Sequence, residues 1–172
     1  MKKILLTTLL LFGISLSANF VDEGIKASKA GDNKKAFKLF VKACDGGNAM
    51  ACKYTAEAYN KGIVVETNVD KAVEYYTKSC SLGLGKSCHF LANSYHKGTG
   101  VKKDNLRALE FYGLACDAKI AEACFDYAFI CELAQGVPRN LPKAKSYYKK
   151  ACDIGVKKAC GYYKQLESMG VK

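Results

Sequence analysis

Residues 36–52 read AFKLFVKACDGGNAMAC, and the pattern returns at 72–88 (AVEYYTKSCSLGLGKSC), 108–124 (ALEFYGLACDAKIAEAC) and 144–160 (AKSYYKKACDIGVKKAC). Each copy ends in two cysteines with seven residues between them: Cys44 and Cys52, Cys80 and Cys88, Cys116 and Cys124, Cys152 and Cys160. Successive copies start 36 residues apart. A period within about 20–50 residues marks a solenoid, in which each repeat is one supersecondary unit that buries its apolar face against its neighbours.

Within a copy, Ala36, Ala72, Ala108 and Ala144 precede the first cysteine by eight residues, and Phe40, Tyr76, Tyr112 and Tyr148 precede it by four. Those spacings, with Leu39, Tyr75, Phe111 and Tyr147 alongside, describe one face of a helix. Asp32, Asn68, Asp104 and Asn140 stand where an N-cap belongs, and Pro142 falls in a first helical turn. Gly47, Gly83 and Gly155 mark helix ends. A second helix begins near the second cysteine and carries Ala56, Ala92 and Ala128, small enough for close helix approach. The expectation is an all-α fold: an α/α solenoid of hairpins near 33–62, 69–98, 105–134 and 141–169, with a capping helix over 20–30. The cysteines face one another across each turn. Zinc sites favour shorter C-x2–4-C spacing and histidine partners, so disulfides are the expected pairing and no metal is expected.

The first residues argue for export. Met1-Lys2-Lys3 is basic, Ile4 to Ile14 is apolar, and Ser15-Leu16-Ser17-Ala18 supplies small residues for cleavage. That layout is a signal peptide over 1–18, too short for a span of roughly 20 residues. The remaining chain, 19–172, reads as one domain with no membrane span, secreted or periplasmic, where disulfides persist. The formal charge of the whole chain is +11, carried almost wholly by lysine; Arg107 and Arg139 are the only arginines. Hydrated lysine suits solvated surfaces better than base or phosphate forks, which argues against nucleic acid. The surplus could also attract acidic polymers or anionic lipid headgroups.

The pattern A-x3-[FY]-x2-[AS]-C-x7-C, followed by Gly98-Thr99-Gly100-Val101, resembles the Sel1-like repeat, a relative of TPR-type hairpins. With paired cysteines and a leader it is similar to the secreted Helicobacter cysteine-rich proteins. The resemblance implies binding of β-lactam or peptidoglycan-type ligands, with slow β-lactam hydrolysis. Local departures are Ala134 for a glycine, Cys131 for a tyrosine, and Gly62-Ile63-Val64-Val65 in the first copy.

The chain's own chemistry is sparse. S-x-x-K, the serine β-lactamase arrangement, occurs at Ser94 with Lys97 and at Ser146 with Lys149, without its S-D-N and K-T-G partners. Ser146 lies in a first helix among apolar-face aromatics, so Ser94 and Lys97 are the catalytic candidates. His89 and His96 are two turns apart on one helix face. Lys53, Asn60, His89, Asn93 and His96 are the candidate groove-lining residues. Cys131 is left unpaired at a position that is tyrosine in other copies. No cofactor motif is present. Two functions stay open: a β-lactam- or peptidoglycan-binding protein with weak hydrolase activity, and a monomeric scaffold that docks proteins or peptides on a concave face.

Overall fold

The computed structural model describes residues 19–172, and the leader expected over 1–18 lies outside them. Every regular element among the described residues is an α-helix: α1 (19–29), α2 (Asn33–Asp45), α3 (Ala49–Lys61), α4 (Val69–Ser81), α5 (Gly85–Lys97), α6 (Asn105–Asp117), α7 (Ala121–Leu133), α8 (Leu141–Ile154) and α9 (Lys157–Ser168). They form two compact units, one ending at Leu84 and one running from Gly85 to Lys172.

Local chemistry sets the helix starts. The side chains of Asp32, Asn68, Asp104 and Asn140 each accept from a backbone N–H two or three residues on, at 2.9–3.1 Å. Asn48 caps α3 in the same way, at 3.0 Å from Ala51 N–H. Helices α7 and α9 start behind Ile120 and Val156 with no side-chain cap. There the Ala123 and Ala159 N–H groups donate to the Ile120 and Val156 carbonyls instead, at 3.1 and 2.9 Å.

In the first unit, Ala27, Ala36, Phe40, Ala43, Cys44, Ala51 and Cys52 form one buried cluster, flanked by Phe20, Val21, Ile25, Tyr54 and Tyr75. Gly24 lets α1 lie on the Phe40 ring: a Cβ there would meet the ring at 2.6 Å. Helix α3 lies between α2 and α4. Ser79 Oγ donates to the Ala49 carbonyl across the α3–α4 contact at 2.7 Å.

In the second unit each helix packs on the next from α5 to α9. Ala92, Ala108, Ala115, Ala123, Ala128, Ala144, Ala151 and Ala159 are wholly buried, which brings backbones close. Tyr112 and Tyr148 are the largest fully buried side chains. Burying aromatics of this size contributes about 2–3 kcal/mol each before entropy is counted.

Disulfides join α2 to α3 (Cys44–Cys52), α6 to α7 (Cys116–Cys124) and α8 to α9 (Cys152–Cys160), with Cα separations of 4.6–4.8 Å. Cys80 and Cys88 are likewise in disulfide form. Closing so short a loop stabilises by about 2–3 kcal/mol per bond in the chain-entropy account.

The third copy departs from the others through compensation. Tyr59 stacks on Tyr75 at 5.7 Å, and Tyr95 on Phe111 at 5.7 Å. Cys131 cannot stack on Tyr147; instead Tyr127, one turn earlier, stacks on it at 3.7 Å. Tyr127 occupies the place of Thr55 and Leu91, so a large residue moved in where a large residue left. Ala134 adopts φ +53°, the left-handed conformation that Gly62 and Gly98 hold in earlier copies. The helix therefore ends in the same geometry, with a Cβ penalty of about 1 kcal/mol.

Candidate functional site

Helix α5 carries His89, Asn93 and His96 at i, i+4 and i+7, a spacing that aligns side chains along one face. That face meets Tyr112 of α6. The buried Tyr112 hydroxyl donates to Asn93 Oδ1 at 2.8 Å. The rings of His89 and His96 lie 5.8 and 6.5 Å from the Tyr112 ring. His89 Nε2 is 3.4 Å from Asp126 Oδ2 on α7. His96 Nδ1 pairs with Asn105 Oδ1 at 2.9 Å, and Asn105 Nδ2 donates to the Gln135 carbonyl at 2.7 Å.

Six polar or amphipathic side chains from three helices thus converge. The Tyr112 hydroxyl holds the Asn93 oxygen, and no described residue accepts from the Asn93 amide N–H groups. Burial, then the nearby Asp126 carboxylate, pushes the Tyr112 phenol well above its usual range, so it stays a donor at neutral pH. His89 and Asp126 keep roughly a quarter and a third of their side chains exposed, at 25% and 38%. Gly136 matters here because a Cβ on it would run into the Asn105 amide, displacing the partner of His96.

Sequence reasoning singled out His89, Asn93 and His96, and the structure brings these three together. Lys53 and Asn60 belong to the first unit. There Lys53 pairs with Glu57 and sits over the Tyr54 ring at 5.1 Å, while Asn60 is exposed at the end of α3. Beside Glu57 is a hollow of about 130 Å³ between α2 and α3, with Phe37, Phe40, Tyr54, Ile63 and Val64 in its wall.

Ser94 is buried, 8% exposed, whereas Lys97 is exposed, and no hydrogen bond joins them among the described residues. Ser146, expected among apolar-face aromatics, is instead exposed, and Lys149 pairs with Asp153 at 2.9 Å. Cys131 is a free, buried thiol whose pKa is raised by burial. The described residues hold no cluster of three or more His, Cys, Asp or Glu side chains able to bind a metal. No described helix is long and apolar enough to cross a membrane.

Sequence reasoning missed Tyr112, Asn105 and Asp126 as members of this face. Asp126 did carry a signal: it stands where other copies place Tyr54, Phe90 and Tyr162. Tyr112 had none, because its place in the repeat reads as core, and it is core on one side.

Comparison with known proteins agrees with the repeat. The Sel1 repeat profile matches residues 18–48, 49–84, 85–119 and 121–156. In that register Cys44 and Cys52 fall in consecutive repeats, as do Cys116 and Cys124, so those bonds tie one repeat to the next. Among solved structures, a Sel1 repeat protein from Oxalobacter formigenes is 26% identical, with a TM-score of 0.73 over 88% of this chain and 62% of its own. A protective antigen of uropathogenic Escherichia coli with an SLR fold, c5321, is 24% identical, with a TM-score of 0.73 over 87% of this chain and 33% of its own. The chain therefore spans under two thirds of either relative. Helicobacter pylori cysteine rich protein B is 32% identical, with a TM-score of 0.56 over 75% of this chain and 92% of its own. Comparison with curated protein sequences gives no significant match. With four matches over most of its length and the same hairpin fold, the chain belongs to the Sel1 repeat family.

Proposed function

We propose that the protein is an exported interaction scaffold whose second unit docks an extended peptide segment on the α5 face. The observation that carries this is Asn93, half-buried and held by the Tyr112 hydroxyl, with no acceptor for its amide N–H groups among the described residues. An oriented amide suits a peptide carbonyl, which any sequence supplies; His89, His96 and Asp126 around it add selectivity. Export is supported by the disulfides, which persist in oxidising compartments, and by the leader-like residues 1–18. The first unit's Lys53 and Asn60 would extend the same role to partners of that unit.

Binding of β-lactams or peptidoglycan fragments, with slow hydrolysis, is the second reading and rests on resemblance. A buried Ser94 and an exposed Lys97 give it less support than the α5 face gives peptide docking.

The test is selection from a random peptide library on the oxidised protein, followed by titration of the enriched peptides. Expected are micromolar binders that weaken at least tenfold in His89→Ala, with thermal stability near that of the parent, and in Asn93→Ala, which also loses about 1–3 kcal/mol because the buried Tyr112 hydroxyl is left without its acceptor. β-Lactam turnover is assayed in parallel with Ser94→Ala. Turnover abolished by that substitution, with no peptide enriched, would replace the scaffold reading with the hydrolase one.

A further inference from the structure

The excess positive charge is concentrated in the last hairpin. Residues 141–172 hold eight lysines against Asp153 and Glu167, a formal +6. Residues 19–140 hold 17 cations against 14 carboxylates, only +3. Part of the hairpin's polarity has a plain cause: one face of α9 is exposed. Lys164 shows this, since its counterparts Ala56, Ala92 and Ala128 are all 0% exposed, while Lys164 is exposed. Solvation explains polarity but not sign, because carboxylates or amides would serve equally.

Two further observations bear on sign. Lys143, Lys157 and Lys158 stand in the first turns of α8 and α9, which contain no acidic residue, although the helix dipole favours carboxylates there. Helix stability therefore does not select these lysines. Second, the hairpin's carboxylates are too few to neutralise it. Lys149 takes Asp153, Lys150 takes Asp117 of α6, and Glu167 accepts from the Tyr163 hydroxyl. Lys143, Lys157, Lys164 and Lys172 are exposed and have no carboxylate partner among the described residues.

We propose that the α8–α9 hairpin is an electrostatic docking face for an anionic lipid bilayer. Lys143 at the start of α8 lies near the chain end, where Lys145 Nζ meets the Val171 carbonyl at 2.7 Å, and Lys157 lies at the opposite end of the hairpin. A helix of 14 residues is about 21 Å long, so the unpaired charges extend over that distance instead of converging on one point. Mobile phosphate headgroups can gather under such an array, and lysine, a hydrated point charge, suits them better than it suits a fixed bidentate partner. Met169 and Ile154, exposed toward the two ends of the hairpin, add apolar contact at the headgroup level.

The experiment is sedimentation of the oxidised protein without its leader (residues 19–172, the whole described fold) with phosphatidylglycerol–phosphatidylcholine vesicles. A variant with Lys143, Lys157, Lys164 and Lys172 all changed to Gln is compared with a control in which Lys26, Lys29, Lys34 and Lys38 are changed to Gln. Binding is expected to weaken roughly 100-fold or more in the first variant, to change less than about threefold in the control, and to fade as salt rises. Equal binding to pure phosphatidylcholine, or equal loss in both variants, overturns the proposal. So does hairpin-dependent binding to polyglutamate without binding to vesicles, which would make the partner an acidic protein.

Discussion

Two neighbouring faces of the second unit occupy the same positions of the repeat and have opposite chemistry. Around Tyr112 the lining is His89, Asn93, His96 and Asp126; one repeat on, around Tyr148, the same positions hold Phe125, Phe129, Glu132 and Tyr162. Both tyrosines are buried, and both donate their hydroxyls to a lining residue: Tyr112 to Asn93 at 2.8 Å, Tyr148 to Glu132 at 2.7 Å. The scaffold is therefore constant and the lining is free to vary. The Tyr112 face is polar, and its His89 and Asp126 side chains stay partly exposed. The Tyr148 face satisfies itself: Tyr148 stacks on Tyr162 at 4.9 Å, Phe125 packs on both, and Lys158 covers the Phe125 ring at 3.8 Å. Equivalent positions of the repeat thus yield one polar, partly exposed face and one that is packed with aromatic rings.

The largest expected effect comes from undoing the size exchange beside the Tyr148 face. Cys131→Tyr restores the repeat's usual residue but collides with the Tyr127–Tyr147 stack, and should cost about 3 kcal/mol in urea unfolding. Adding Tyr127→Leu, the residue of the preceding copy, should recover most of that loss. A double variant no more stable than the single one would show that the two positions are not exchanging volume.

A smaller difference separates the two anchoring hydroxyls. Tyr148→Phe removes a bond to a carboxylate and should cost about 2 kcal/mol, whereas Tyr112→Phe loses an amide acceptor and about 1 kcal/mol. Both phenols are pushed up, Tyr148 by burial and then its bond to Glu132, Tyr112 by burial and then Asp126. A raised folded pKa leaves stability intact below the unfolded value near 10, and stability falls as pH climbs from there through the folded values. Tyr76 and Tyr127, each pushed up to about 12 chiefly by burial, act in the same direction. Unfolding measured from pH 8 to 12 should show this decline, shallower in Tyr148→Phe. A pH-independent midpoint would mean that these hydroxyls are solvated.

The smallest effect is at the helix end. Ala134→Gly should stabilise by about 0.5–1 kcal/mol, because glycine holds φ +53° without the Cβ penalty. Thermal unfolding of the pair of proteins checks it; a loss of stability would place the Ala134 methyl in a contact worth more than the strain.

Much of the fold was legible because it depends on short-range chemistry. The cysteine spacing, the capping residues 32, 68, 104 and 140, and the apolar spacing of three, four and eight residues all act within one helix or one turn, and the helices begin and end where those signals lie. The candidate face was only half legible. His89, Asn93 and His96 share one helix, so their alignment follows from the helical repeat. Their partners do not: Asp126 reaches His89 from 37 residues away, and Tyr112 reaches Asn93 from 19.

What the sequence determined by itself was therefore the 36-residue hairpin unit, its disulfide spacing and the identity of each lining residue, since these need only local periodicity. The tertiary structure alone decided which lining residues meet and which remain available. It turned Ser94 inward and left Lys97 in water, closed the aromatic face under Lys158, and tied the Asn93 Oδ1 to a buried tyrosine. The physical reason is that a helix side chain's surroundings come from the helices packed beside it, and those lie from half a repeat to a whole repeat away in the chain.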